Sequence, residues 1–198
     1  MGIENGGSGA DGPQSLVLPG GRLGLFAVVI YVPDPLGRFL DGLRRELVSG
    51  CSTRAHVSVL PPRPLAADWR IARDQAHALA EGWTQFEIEA SSIEVFASTS
   101  VVYLQIGLGA GDLHRMHEAM NIGALEFQEP FPYHPHITLA QDIPEDTVPA
   151  IRDLAARRWE GFRAGRSFRA ERLVFVRNTT AACWKDLAEF SLGAVAVR

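Results

Sequence analysis

His56-Val57-Ser58-Val59 and His136-Ile137-Thr138-Leu139 share one pattern: histidine, apolar residue, hydroxyl residue, apolar residue. Each sits in a run whose alternation reads as a β-strand, where successive side chains point to opposite faces. His56 and Ser58 therefore face one way, about 6.5 to 7 Å apart along the backbone, and Val57 and Val59 anchor the other side. The same holds for His136 and Thr138. Two such strands brought together across a cleft can hold a phosphodiester between two imidazoles. Near neutral pH one neutral imidazole takes a proton from water while the other, protonated, gives one to the leaving alkoxide. Ser58 and Thr138 would donate hydrogen bonds to the nonbridging phosphate oxygens, where charge builds in the transition state. With apolar residues at 46% and Ser plus Thr at about 9%, a given histidine meets this pattern about 2% of the time. Two of the six histidines do so by chance in under about 1% of such sequences.

Other residues near the motifs are candidates to hold substrate. Arg54 and Arg63 flank the first motif and can attract a phosphate, and Tyr133, just before the second, can stack on a base. Arg177, with Asn178, stands at the end of an expected strand where it can point into the cleft. The remaining histidines have plainer readings. His114, His117 and Glu118 read as an exposed polar helix face, His77 as a surface helix residue, and Trp184 as core. His134 and His136 share a strand face, which leaves open a metal-dependent hydrolase built on that pair. Cys51 and Cys183 cannot form a four-thiolate site and read as small buried hydrophobes.

The elements that must position these groups follow from periodicity. Leu23 to Val32 is a nearly continuous apolar run and reads as a buried strand. Asp34-Pro35 starts a helix running through Phe39, Leu40, Leu43 and Leu47 to Gly50. A short strand over 55–60 stops at Pro61-Pro62, and a helix follows over 66–81. Strands over 86–95 and 101–108 form a hairpin; then come a helix over 112–122, a strand over 136–140, a helix over 147–159, and strands over 169–177 and 183–192. Strand, helix, strand, helix, strand thus occurs twice, with one extra strand at the end. The order implies an α+β protein of two pseudo-symmetric lobes, each an antiparallel or mixed sheet with helices on the outside, around a central cleft. Residues 1–21, rich in Gly and polar residues, read as a flexible tail, and 22–198 as a single bilobal domain.

AHVSVL and YHPHITLA resemble the two H-x-[ST]-x motifs of the two-histidine (2H) phosphoesterase superfamily, and most nearly its bacterial 2′-5′ RNA ligase and cyclic phosphodiesterase-like branch. The motif order, the spacing between them and the element order extend the resemblance over about residues 23 to 192. It implies a bilobal fold with one motif on each facing strand, and catalytic roles for His56, Ser58, His136 and Thr138. The implied reaction opens a 2′,3′-cyclic or related cyclic phosphate, usually leaving a 2′-phosphate, with reversible 2′-5′ ligation in some members. No metal or nucleotide cofactor is implied. The ligase branch often carries Arg soon after the second motif, where this chain has Gln141.

Composition bounds the partners. A net charge of -4 argues against gripping a long nucleic acid by bulk electrostatics and favours a small cyclic nucleotide or an RNA terminus with a cyclic phosphate. No apolar run is long enough for a membrane span, and the start lacks the order of a signal peptide. The expectation is a cytoplasmic monomer. A different class stays open: a nucleotide- or RNA-binding module that keeps the cleft with little turnover, to which Ser58 in place of the commoner Thr and the absence of Arg at 141 both point.

Overall fold

Phe26–Tyr31 (β1) is apolar throughout because both of its faces are covered. Phe26, Val28 and Ile30 join the main core, while Ala27 and Val29 pack with Val174 and Val176 on the opposite face. The computed structural model describes residues 24–51, 53–180 and 183–194; the expected tail lies outside them. After β1 come α1 (Leu36–Leu47), β2 (His56–Arg63), α2 (Trp69–Ala80), β3 (Phe86–Phe96), β4 (Val101–Ile106), α3 (Ala110–Met120), β5 (His136–Ala140), α4 (Val148–Gly161), β6 (Ser167–Ala170), β7 (Arg172–Thr180) and β8 (Cys183–Ser191).

The strands form two four-stranded sheets, ordered β2-β1-β7-β8 and β5-β4-β3-β6, and every ladder within them is antiparallel. The expected α+β, two-lobed architecture is present, with its strands shared differently between the lobes. The unit β1-α1-β2 matches β4-α3-β5, but β3 completes the second sheet and β7 and β8 return to complete the first. The expected single strand over 169–177 is accordingly two strands. Phe168 and Ala170 are buried in β6, whereas Leu173 and Phe175 face the main core in β7, so the inward phase shifts at Glu171 as the chain changes sheets. The Glu171 carbonyl accepts the Leu192 N–H at 2.8 Å at that crossing.

β2 does not stop at Pro61-Pro62 but runs on to Arg63. It is an edge strand, so the missing proline N–H groups need not disrupt a second ladder. β5 is likewise the edge of its sheet, and the two edges lie against each other. The helices cross over: α1 packs beneath β5 and α3 beneath β2. Their buried faces match in spacing, Leu40, Leu43, Arg44 and Leu47 in α1 against Leu113, Met116, His117 and Met120 in α3. This exchange ties the lobes into one core and fixes the separation of the motif strands. No helix among the described residues is long and apolar enough to cross a membrane.

Candidate functional site

β2 buries Val57 and Val59 completely, which turns His56 and Ser58 to the other face; β5 does the same with Ile137 and Leu139, turning out His136 and Thr138. All four outward residues are part-buried. Because β2 and β5 are abutting edges, both His-hydroxyl pairs meet at the junction of the sheets.

The two imidazoles are held alike. His56 Nδ1 lies 2.7 Å from the Arg54 carbonyl oxygen, and His136 Nδ1 lies 2.7 Å from the His134 carbonyl oxygen. A carbonyl oxygen only accepts, so each Nδ1 carries the hydrogen and donates it. Nε2 of each neutral ring is left with its lone pair. Position i−2 thus fixes the tautomer and the ring orientation in both motifs.

The surroundings are less symmetric. Burial pushes the His56 imidazolium pKa down to about 4; the Arg54 carbonyl opposes the shift, and the Arg44 and His136 charges reinforce it. Burial also lowers His136, against the pull of its hydrogen bond to the His134 carbonyl, with His134 adding a smaller push downward. Arg44, on the inner face of α1, is 6% exposed, and its Nε and Nη1 have no hydrogen-bond partner among the described residues. At the matching place in α3, His117 is buried, with Nδ1 donating to the Val59 carbonyl at 2.9 Å. It is therefore a packing element beneath β2 rather than part of an exposed helix face.

Of the expected substrate-holding residues, Arg54 stands beside the site, its guanidinium carbon 3.8 Å from the centroid of the Tyr31 ring. Tyr31 pairs across the ladder with His56 and contacts it edge-on at 6.4 Å. Tyr133 is turned to structural use. Its hydroxyl donates to the Ser58 carbonyl at 2.9 Å, and its ring stacks on His117 at 3.9 Å. Arg63 is 1% exposed and fully engaged, with Nε on the Pro61 carbonyl at 2.9 Å, Nη1 on Asn121 Oδ1 at 2.6 Å and on the Leu125 carbonyl at 3.0 Å. Its Nη2 pairs with Glu129, so no face of the guanidinium remains for a phosphate. Arg177 pairs with Phe26, whose ring it covers at 5.4 Å. That places it on the face opposite His56, away from the junction.

His134 directs Nε2 to Gln105 Oε1 at 2.8 Å, and its ring centroid is 6.3 Å from that of His136. No group of three or more His, Cys, Asp or Glu suited to a metal ion occurs among the described residues. Gln141, exposed, turns its amide toward Asp142 at 3.2 Å. Cys51 is part-exposed and Cys183 exposed, both as free thiols; they lie at or beyond strand and helix ends rather than in the core. Trp184 is also part-exposed, packing on the small cluster of Ala27, Val29, Val174 and Val176 instead of the main core.

Motif reading missed the aromatic residues around the pair. Phe96 and Tyr103 stack at 3.9 Å and each meets the His136 ring edge-on, at 5.0 and 5.4 Å. Tyr31 donates its hydroxyl to Asp186 at 2.6 Å across the first sheet. Strand pairing, which single-sequence alternation does not reveal, is what brings them to the histidines.

Solved structures similar in fold include E. coli LigT in apo form (14% identity, 86% of this chain and 98% of that chain covered, TM-score 0.59). They also include E. coli LigT complexed with 3′-AMP (13% identity, 86% and 98% covered, TM-score 0.60). A Thermus thermophilus protein, TT0787, matches with 16% identity, 86% and 98% covered and a TM-score of 0.57. No curated protein matches the chain by sequence. The family profile of the 2′-5′ RNA ligase superfamily matches residues 32–182, a span that holds both motif strands and most of the two sheets; the chain belongs to the 2′-5′ RNA ligase superfamily.

Proposed function

We propose that the protein is a phosphoesterase that opens 2′,3′-cyclic phosphates on small nucleotides or RNA ends by general acid-base catalysis between His56 and His136. The observation that carries this reading is the meeting of the two edge strands, each presenting an imidazole with a free Nε2 beside a hydroxyl. Both imidazoles donate Nδ1–H to a carbonyl, so Nε2 is the atom that exchanges protons with substrate. That a related fold, E. coli LigT, has been crystallised with 3′-AMP supports a nucleotide in this cleft.

In the proposed step His56 Nε2 takes a proton from water as its oxygen attacks phosphorus. The P–O3′ bond breaks, and His136 Nε2–H delivers its proton to O3′, leaving a 2′-phosphate. His56 is the base because its surroundings keep it neutral, with the Arg44 cation opposing a second positive charge nearby. At His136 burial also disfavours the charged ring, but the hydrogen bond to the His134 carbonyl opposes that, and the bound anionic diester favours the protonated form. Ser58 and Thr138 donate to the nonbridging oxygens. No step requires a metal ion.

Incubation with the four 2′,3′-cyclic mononucleotides, followed by phosphorus NMR, tests this. The expected product is the 2′-monophosphate, formed at the same rate with and without EDTA. Saturable binding of nucleoside 2′-monophosphates with no product over hours would instead support a binding module, the reading to which Gln141 points. Loss of activity in EDTA, restored by a divalent metal, would support a hydrolase using His134 and His136.

A further inference from the structure

The face of the first sheet that carries His56 extends well beyond the motif. Tyr31 lies opposite His56 and Val29 opposite Ser58; Val29 pairs with Val174 and Ala27 with Val176; Val176 pairs with Asp186 and Asn178 with Trp184. Paired residues share a face, so one surface runs from His56 to Trp184. The floor strands β1 and β7 lie one and two strand spacings from β2, about 5 and 10 Å, which is on the scale of one nucleotide whose phosphate lies at His56.

This surface has a small apolar floor, Ala27, Val29, Val174 and Val176, between two aromatic residues, Tyr31 and Trp184. Arg54 covers the Tyr31 ring, its guanidinium carbon 3.8 Å from the centroid. At the far end the exposed polar group is a carboxylate. Asp186 takes the Tyr31 hydroxyl on Oδ1 and is exposed. Asn178 is 2% exposed, and its Oδ1 has no hydrogen-bond partner among the described residues. The matching face of the second sheet lacks this arrangement: opposite His136 and Thr138 stand Gln105 and Tyr103, with Phe96 stacked on Tyr103. The pseudo-symmetry that makes the two histidines alike is broken here.

We propose that the surface between Tyr31 and Trp184 is a nucleobase subsite that prefers guanine. Aromatic faces bind any base by stacking, and selectivity comes from the Asp186 carboxylate. A carboxylate only accepts hydrogen bonds, and guanine offers adjacent N1–H and N2–H donors on one edge. Uracil presents a single N–H flanked by two carbonyl oxygens, which a carboxylate repels. Arg54, which lies against the Tyr31 ring beside His56, then meets the phosphate or the sugar oxygens. The inference rests on the reading above that a phosphate lies between His56 and His136.

Calorimetric titration of the full chain with 2′-GMP, 2′-AMP, 2′-UMP and inorganic phosphate separates the two ideas, because it reads binding without turnover. The wild type is expected to bind 2′-GMP at least tenfold more tightly than 2′-UMP. Asp186→Asn should shrink that ratio to about threefold or less with phosphate binding unchanged. Trp184→Ala should weaken all three nucleotides about tenfold, again sparing phosphate, and Trp184→Phe should restore most of the loss. Equal affinities for the three nucleotides, a guanine preference that survives Asp186→Asn, or no nucleotide binding at all would overturn the subsite. A guanine preference lost in Asp186→Asn, in a wild type that turns over no cyclic nucleotide, would uphold the subsite while the hydrolytic reading fails. Turnover with no base preference would do the reverse.

Discussion

His56→Ala and His136→Ala should each lower turnover of a 2′,3′-cyclic nucleotide by about 10² to 10⁴. Each imidazole has a separate proton to move, and no other titratable group shares its hydrogen-bonded position: the Nδ1 contacts go to the Arg54 and His134 carbonyls alone. The losses will not add. Once one half of an acid-base pair is gone, the other has little left to do, so the double variant should resemble the slower single variant. Both histidines sit at the start of edge strands and are part-buried, so alanine should leave the fold intact; thermal melts of the variants check this. Ser58→Ala and Thr138→Ala each remove one hydrogen bond to the phosphate and should cost less. Equal rates in wild type and either histidine variant would remove that residue from the mechanism.

Arg63→Ala should destabilise the protein by about 3 to 5 kcal/mol, the cost typical of breaking a buried ion pair by removing one partner. Glu129 would be left largely buried without its cation, and the Asn121 side chain and the Pro61 and Leu125 carbonyls would lose their donors. This network joins the end of β2 to the segment that follows α3, and Asn121 also accepts the Phe127 N–H at 2.9 Å. Urea unfolding measures the change. Replacing Arg63 and Glu129 together by Met and Leu should recover part of it, since the unpaired charge is then gone. Under conditions where the Arg63→Ala variant is folded, its KM should be close to that of the wild type. Unchanged stability with a raised KM would mean instead that Arg63 contacts substrate.

Much of the site could be read from two tetrapeptides because a strand enforces strict alternation. Burying Val57, Val59, Ile137 and Leu139 determines where His56, Ser58, His136 and Thr138 point. Apolar runs and proline or glycine punctuation were enough to place the helices and most strands. What alternation could not supply was pairing. The run from Phe168 to Val176 contains apolar residues in both phases, and only the sheets themselves show that the inward set changes at Glu171. Arg63 and Arg177 look equally available in sequence, yet one is buried in a polar network and the other faces away from the motifs. One signal was present and weak: α1 and α3 repeat their buried positions at the same spacing, with Arg44 and His117 as matching polar members. That match places His117 indoors.

The pH dependence of kcat/KM is the most direct test that two histidines divide the proton transfers between them. For the free protein the low-pH limb reports the base and the high-pH limb the acid. His56 is held neutral down to about 4, and His136 is lowered from its ordinary value of 6.5 by burial. Activity should therefore rise as pH increases through about 4, pass a maximum on the acid side of 6.5, and fall as His136 loses its proton. His56→Ala should abolish the low-pH limb and His136→Ala the high-pH limb. A profile that is flat across this range, or one whose two limbs both persist in either variant, would contradict the account.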